Sequence, residues 1–185
     1  MQQQKNRFTV HRLVVNAMMI AVYVVLRYLS IPFGNYFRFT MGPFAVIMCA
    51  MLFGPVDGLL VGFLGEFLSQ ILGPYGLTQT TLLWCIGETV RGGTLGLLVL
   101  LCRKEQKESR RTKLLLISCA LTGILAALGQ TFALYVDSKL MGYYTYVMVF
   151  GVLVWRLVVY IVLAVLMGYL CQPIIHALKK ARIVK

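Results

Sequence analysis

The chain is 185 residues long, 59% hydrophobic and only 13% charged, with a formal net charge of +12 and a mean hydropathy of +0.81. A water-soluble domain of this size cannot hide so much apolar surface, because about half of its residues must face solvent. The basic excess does not point to nucleic acid either: it gathers at the ends of the apolar stretches, where it serves topology and contact with anionic lipid.

A bilayer core takes about 20 mainly apolar residues per helix. The pattern predicts an all-α integral membrane protein, one membrane domain over residues 1–185 built as a six-transmembrane-helix bundle. Its spans fall at 12–31, 40–54, 57–73, 80–102, 113–136 and 145–171. The first is a retained helix rather than a signal peptide, since five more follow and no small-residue cleavage site stands behind it. The second is short and ends at Phe53-Gly-Pro, where proline withholds a donor and disfavours helix before it. Gly73-Pro-Tyr-Gly closes the third, and Thr78 or Thr80 is the candidate cap of the fourth. Gly58, Gly62 and Gly65 on span three and Gly92, Gly93 and Gly96 on span four form small-residue patterns that let helices approach closely. The cysteines (Cys49, Cys85, Cys102, Cys119, Cys171) have no CxxC spacing and lie in or beside apolar segments, which predicts buried reduced thiols. No metal site and no cofactor are expected.

Basic residues set the orientation. Lys5, Arg7 and Arg12 precede or open span one. Arg103, Lys104, Lys107, Arg110, Arg111 and Lys113 follow span four, and Lys179, Lys180, Arg182 and Lys185 form the tail. With six spans these thirteen fall on one side, against Arg38 and Lys139 on the other, so both termini are expected in the cytoplasm. An odd number of spans would separate the basic tail from the basic N-terminus.

Charged side chains at membrane depth cost about 2.5–3.5 kcal/mol each on insertion scales, and they persist where they pair or line a polar cavity. Glu66, Arg91 and Arg156 lie near the middle of spans three, four and six, and Glu88 sits one turn from Arg91 on the same face. Trp84 stands a further turn out, with Gln130 and Tyr135 in the outer half of span five. Aromatic walls with a few fixed polar groups suit a planar heterocyclic ligand carrying a carboxylate. The alternative is a set of interhelical salt bridges with no ligand. Trp155, Tyr143, Tyr144 and Tyr146 read as ordinary residues of the interfacial belt. There is no G-x-x-x-x-G-K-[ST], H-E-x-x-H or G-x-S-x-G, so an enzyme is not expected, and uphill transport would draw its energy from partners or an ion gradient.

Span one carries Ala17-Met-Met-Ile-Ala21. Further on come Phe37 to Phe44, Leu52-Phe-Gly-Pro, Gly58, and the segment Gly62 to Glu66. With the size and topology, these resemble the substrate-binding subunit, or S component, of an energy-coupling factor (ECF) vitamin transporter, nearest the folate branch. In that branch an acidic residue in the region of Glu66 is commonly Asp, and Leu77-Thr-Gln-Thr-Thr-Leu-Leu-Trp departs from the usual aromatic-Pro-Gly stretch. The resemblance implies capture of a water-soluble vitamin from outside, in a pocket formed by the outer halves of spans four to six and the outer loops. The subunit would then associate with a membrane coupling subunit and two cytoplasmic ATPases, topple, and release its substrate inside a bacterial cell. Ala17 and Ala21 match the motif that docks on the coupling subunit. Trp84, Glu88, Arg91, Gln130, Tyr135, Arg156 and Glu66 would line the pocket, and the loop 32–38, with Asn35 and Arg38, would be its lid. Two other readings share the topology: a non-transporting scaffold like the six-span rod-shape morphogenesis protein, and a self-sufficient ion-coupled transporter, which usually shows inverted repeats.

Overall fold

The structure, a computed structural model, describes residues 10–33, 37–73, 76–102 and 108–180. In chain order the elements are α1 (Val10–Tyr28), β1 (Ser30–Phe33), β2 (Phe37–Thr40), α2 (Pro43–Phe53), α3 (Pro55–Ile71), α4 (Thr81–Cys102) and α5 (Glu108–Leu140). A π-helical turn at Val147–Gly151 leads into α6 (Leu153–Lys180). Six helices therefore appear in the expected order. Three stretches, Thr81–Cys102, Arg110–Leu140 and Val147–Ala177, are long and apolar enough to cross a bilayer.

The main departure from expectation lies between α1 and α2. Residues expected as the end of span one, the following loop and the first residue of span two form an antiparallel hairpin, with Ile31 opposite Phe39 and Pro32 opposite Arg38. Aromatic and β-branched residues crowd this stretch and favour the pleated backbone. Helix α2 starts only at Pro43, whose fixed φ suits a first helical turn. The expected lid thus falls on the hairpin; Arg38 belongs to β2, and Asn35 lies outside the described residues. At the other end, α5 runs well beyond the expected 113–136, because no glycine or proline interrupts its polar flanks. It stops before Gly142, which takes φ +77°.

Helix α2 is apolar on every side, the pattern of a helix buried all round, and every residue from Ala45 to Leu52 is buried. Ile47 and Met51 meet Leu95 and Val99 of α4, Cys119 of α5, and Ala164, Met167 and Cys171 of α6. On its other side Val46 and Cys49 pack with Tyr23 of α1 and Val61 of α3. Gly54, at φ +105°, makes the sharp reversal into α3, a conformation that glycine adopts without a Cβ clash.

Four glycines hold the α3–α4 crossing together. A Cβ on Gly92 would lie 2.0 Å from the Gly58 carbonyl oxygen, and one on Gly62 would lie 2.5 Å from the Glu88 carbonyl oxygen. A Cβ on Gly96 would meet Pro55 Cα at 2.3 Å. The other two expected packing glycines behave differently: Gly65 receives the Tyr23 ring of α1, whereas Gly93 meets only Leu59, at an ordinary 3.6 Å. All five cysteines are free and buried, as their apolar settings predict.

Candidate functional site

The tight α3–α4 crossing fixes the face of α4 that carries Glu88 and Arg91, both almost fully buried. Arg91 Nη1 lies 3.2 Å from Glu88 Oε2. That is ion-pair distance, but the atoms are out of line for a hydrogen bond, and Glu88 Oε2 and Arg91 Nε have no hydrogen-bond partner. The Arg91 guanidinium also sits 5.2 Å over the Tyr160 ring of α6, a cation–π contact strengthened by exclusion of water.

Arg156 enters from α6, 7% exposed. Its Nη1 donates to Thr131 Oγ1 of α5 at 3.3 Å, and among the described residues it forms no salt bridge with a carboxylate. Gln130, one residue back on α5, reaches across to α4, where its Nε2 donates to the Trp84 carbonyl oxygen at 3.5 Å. The approach needs a bare backbone opposite: a Cβ on Gly87 would come within 2.8 Å of Gln130 Cγ. Tyr135 heads an aromatic cluster nearer the C-terminal end of α5. Tyr144 packs edge-on against it at 5.7 Å, Phe150 at 6.2 Å, and Lys139 Nζ lies 5.0 Å over its ring. Trp155 points away and is 53% exposed.

Glu66 goes elsewhere. Tyr23 donates its hydroxyl to Oε2 at 2.6 Å, Arg27 Nη1 pairs with the same oxygen at 2.5 Å, and Gln70 Nε2 donates to Oε1 at 2.8 Å. Its carboxylate thus joins α3 to α1, not to the arginines of α4 and α6. Two further polar knots escaped the sequence reading. Near the start of α3, Asp57 accepts from Arg12, which also donates to the Phe53 carbonyl oxygen at 3.2 Å, and from Asn16 Nδ2 at 2.6 Å. At the end of α5, Asp137 accepts from Thr80 and from Tyr143. Thr80 therefore ties α4 to α5 rather than capping α4, while the Thr78 N–H donates to Thr81 Oγ1 at 2.9 Å. Withdrawal of the Tyr143 hydroxyl from water, and then its hydrogen bond to Asp137, push its pKa up to about 12.

Arg12 and Arg27 each resemble a topology signal when read alone. An arginine four residues from a buried Asn or Tyr, on one helical face, was the available hint that α1 presents a polar stripe inward. Ala17 and Ala21 lie off that stripe and are exposed. Among the described residues no group of three His, Cys, Asp or Glu side chains is placed to hold a metal ion. What the N-terminal halves of α4 and α6 and the C-terminal half of α5 assemble is a set of guanidinium, carboxylate and amide groups fixed by helix packing. It is suited to recognition by charge and hydrogen bonding.

Known proteins give this geometry a setting. A search of curated proteins found no match. Among solved structures, the S component of a bacterial ECF transporter superposes with a TM-score of 0.66 at 19% identity, covering 91% of this chain and 97% of that one. The likeness is one of fold. The family model for the substrate-specific component of ECF transporters matches residues 11–178, nearly the whole length, and the chain belongs to that family.

Proposed function

We propose that this chain captures an anionic water-soluble vitamin or precursor, folate-like first, between the outer halves of α4, α5 and α6. Arg156 carries the reading: a guanidinium 7% exposed, with one neutral hydrogen-bond partner and no carboxylate paired to it among the described residues. A buried unpaired charge is costly, and a ligand carboxylate would relieve it through charge-assisted hydrogen bonds. The balance nearby agrees. Arg27, Arg91 and Arg156 face two carboxylates, Glu66 and Glu88, which leaves one positive charge over. In this reading Arg91 and Arg156 hold the anionic group, Glu88 accepts from ring N–H groups through its unpartnered oxygen, Trp84 and Tyr135 supply aromatic walls, and Gln130 adds amide contacts. Glu66, with both oxygens engaged by α1 and α3, is left out of the pocket.

The same proposal has six spans with both termini cytoplasmic, supported by the thirteen clustered basic residues. At about 16 Å, α2 is too short to cross alone, and the hairpin before it makes up the outer part of that crossing. Uptake is driven by a membrane coupling subunit and two cytoplasmic ATPases, with Ala17 and Ala21 as the docking face.

The test is to purify the protein with its native small-molecule content and identify bound compounds by mass spectrometry. A vitamin panel including folic acid is then titrated into the wild type and Arg91→Ala. Tight binding of one anionic vitamin, weakened by Arg91→Ala, is the expected result. No bound compound and no binding anywhere in the panel would sink the reading and leave a scaffold role.

A further inference from the structure

We propose that Asp57 and Glu66 are positioning residues for the docking helix: two buried ionic clamps that hold α1 on α3 in one rotational register. The inference rests on the reading that α1 docks through Ala17 and Ala21. Both carboxylates are 0% exposed, and both belong to α3. Asp57 takes Arg12 and Asn16; Glu66 takes Tyr23 and Arg27. At 100° per residue those four partners fall within about 40° of one line along α1, and Arg12 and Arg27 are about 22 Å apart along its axis. Between the clamps lies an apolar waist, Met19 and Ile20, against Val46, Cys49 and Val61.

The waist alone cannot fix the register. Lipid tails are as apolar as Met or Ile, so rotating α1 about its axis exchanges one apolar contact for another at little cost. Rotating the clamps is different: it would carry two arginines into hydrocarbon, take Arg12 and Asn16 from Asp57, and leave the Glu66 charge with only the neutral Gln70 of its own helix. One clamp would leave a pivot, whereas two at separate heights resist both rotation and tilt. Ala17 and Ala21 sit roughly 100–140° around the helix from the clamp line, and both are exposed. The side chains that grip α3 therefore determine which face a partner helix meets. The register also reaches the candidate pocket, because Gly62, one turn before Glu66, abuts the Glu88 backbone.

The experiment measures association of the full chain, in lipid nanodiscs, with an immobilised coupling module lacking nucleotide. Variants are Asp57→Asn, Glu66→Gln, the charge-inverted pair Arg12→Asp/Asp57→Arg, and Ala17→Leu/Ala21→Leu. If loss of a clamp leaves the docking register about a tenth populated, apparent affinity for the module falls about tenfold. We expect that loss in Asp57→Asn and Glu66→Gln samples that remain monodisperse, with recovery in the charge-inverted pair. A merely stabilising role would lower unfolding midpoints and leave association by the folded protein unchanged. Unchanged association overturns the clamps, as does a folded inverted pair that fails to recover. Should Asp57→Asn not fold, Arg27→Gln, at the partly exposed end of the outer clamp, puts the same question with the same two outcomes. If Ala17→Leu/Ala21→Leu leaves association intact, it is the docking reading that fails; if it abolishes association while the clamp variants do not, only the clamps fail.

Discussion

Gly92→Ala and Gly93→Ala are neighbouring, chemically identical changes that the packing separates. Both gain the same helix propensity, about 1 kcal/mol, so that contribution cancels between them. A Cβ at Gly93 meets Leu59 Cδ1 at 3.6 Å, an ordinary contact. A Cβ at Gly92 would stand 2.0 Å from the Gly58 carbonyl oxygen and 2.4 Å from its carbon, where ordinary contact begins at 3.4 Å. The obstacle is backbone and cannot swing aside, so α3 and α4 must separate along the whole crossing. Overpacking of this kind costs about 1–3 kcal/mol. In a chain of this size each kcal/mol moves the midpoint by about 2–4 °C, so the two variants should differ by roughly 2–12 °C, Gly92→Ala the lower. The five free buried cysteines supply the assay: a thiol-reactive fluorophore reports unfolding in detergent during a thermal ramp. Equal midpoints, or a lower one for Gly93→Ala, would refute the close glycine crossing.

Two further outcomes follow from the polar groups. Arg156→Ala should weaken binding of folic acid, or of whichever anionic vitamin the panel identifies, by about 10- to 150-fold, the equivalent of a charge-assisted hydrogen bond of about 1.5–3 kcal/mol; Arg156→Lys should recover part of the loss, and an unchanged titration would remove Arg156 from the pocket. Tyr143 has a folded-state pKa pushed up to about 12 from an ordinary value of about 10, so its clasp on Asp137 stabilises fully below pH ~10 and is lost as pH rises through ~12. The gap in unfolding midpoint between wild type and Tyr143→Phe should hold up to the first value and close by the second; a gap that closes near neutrality would contradict the clasp.

How far the site could be read from the chain depends on the range of each interaction. Glu88 and Arg91 are a local pair, one turn apart on one helix, so spacing alone brings them together. Gly58, Gly62, Gly92 and Gly96 are legible because a small-residue repeat has few uses in a membrane helix other than close approach. Glu66 was misleading for the opposite reason. Its depth matched that of Arg91 and Arg156, yet depth says nothing of azimuth, and the side of α3 on which it lies faces Tyr23 and Arg27. The hairpin at 30–40 was hidden by its position, since aromatic and β-branched residues beside a membrane span serve equally well in a helix, a belt or a strand.

Hydropathy and charge, both sums along the chain, thus determined by themselves a six-helix order and a set of interior charges, while short motifs such as Ala17-Met-Met-Ile-Ala21 and Leu52-Phe-Gly-Pro carried the family resemblance. Which carboxylate answers which arginine was decided only in three dimensions. Partner choice among buried charges depends on helix rotation, and rotation is set by packing between segments as far apart as residue 12 and residue 57. That step separated two residues the sequence had placed together: Glu66 pairs with Tyr23 and Arg27 of α1, whereas Arg156 donates to Thr131 and meets no carboxylate among the described residues.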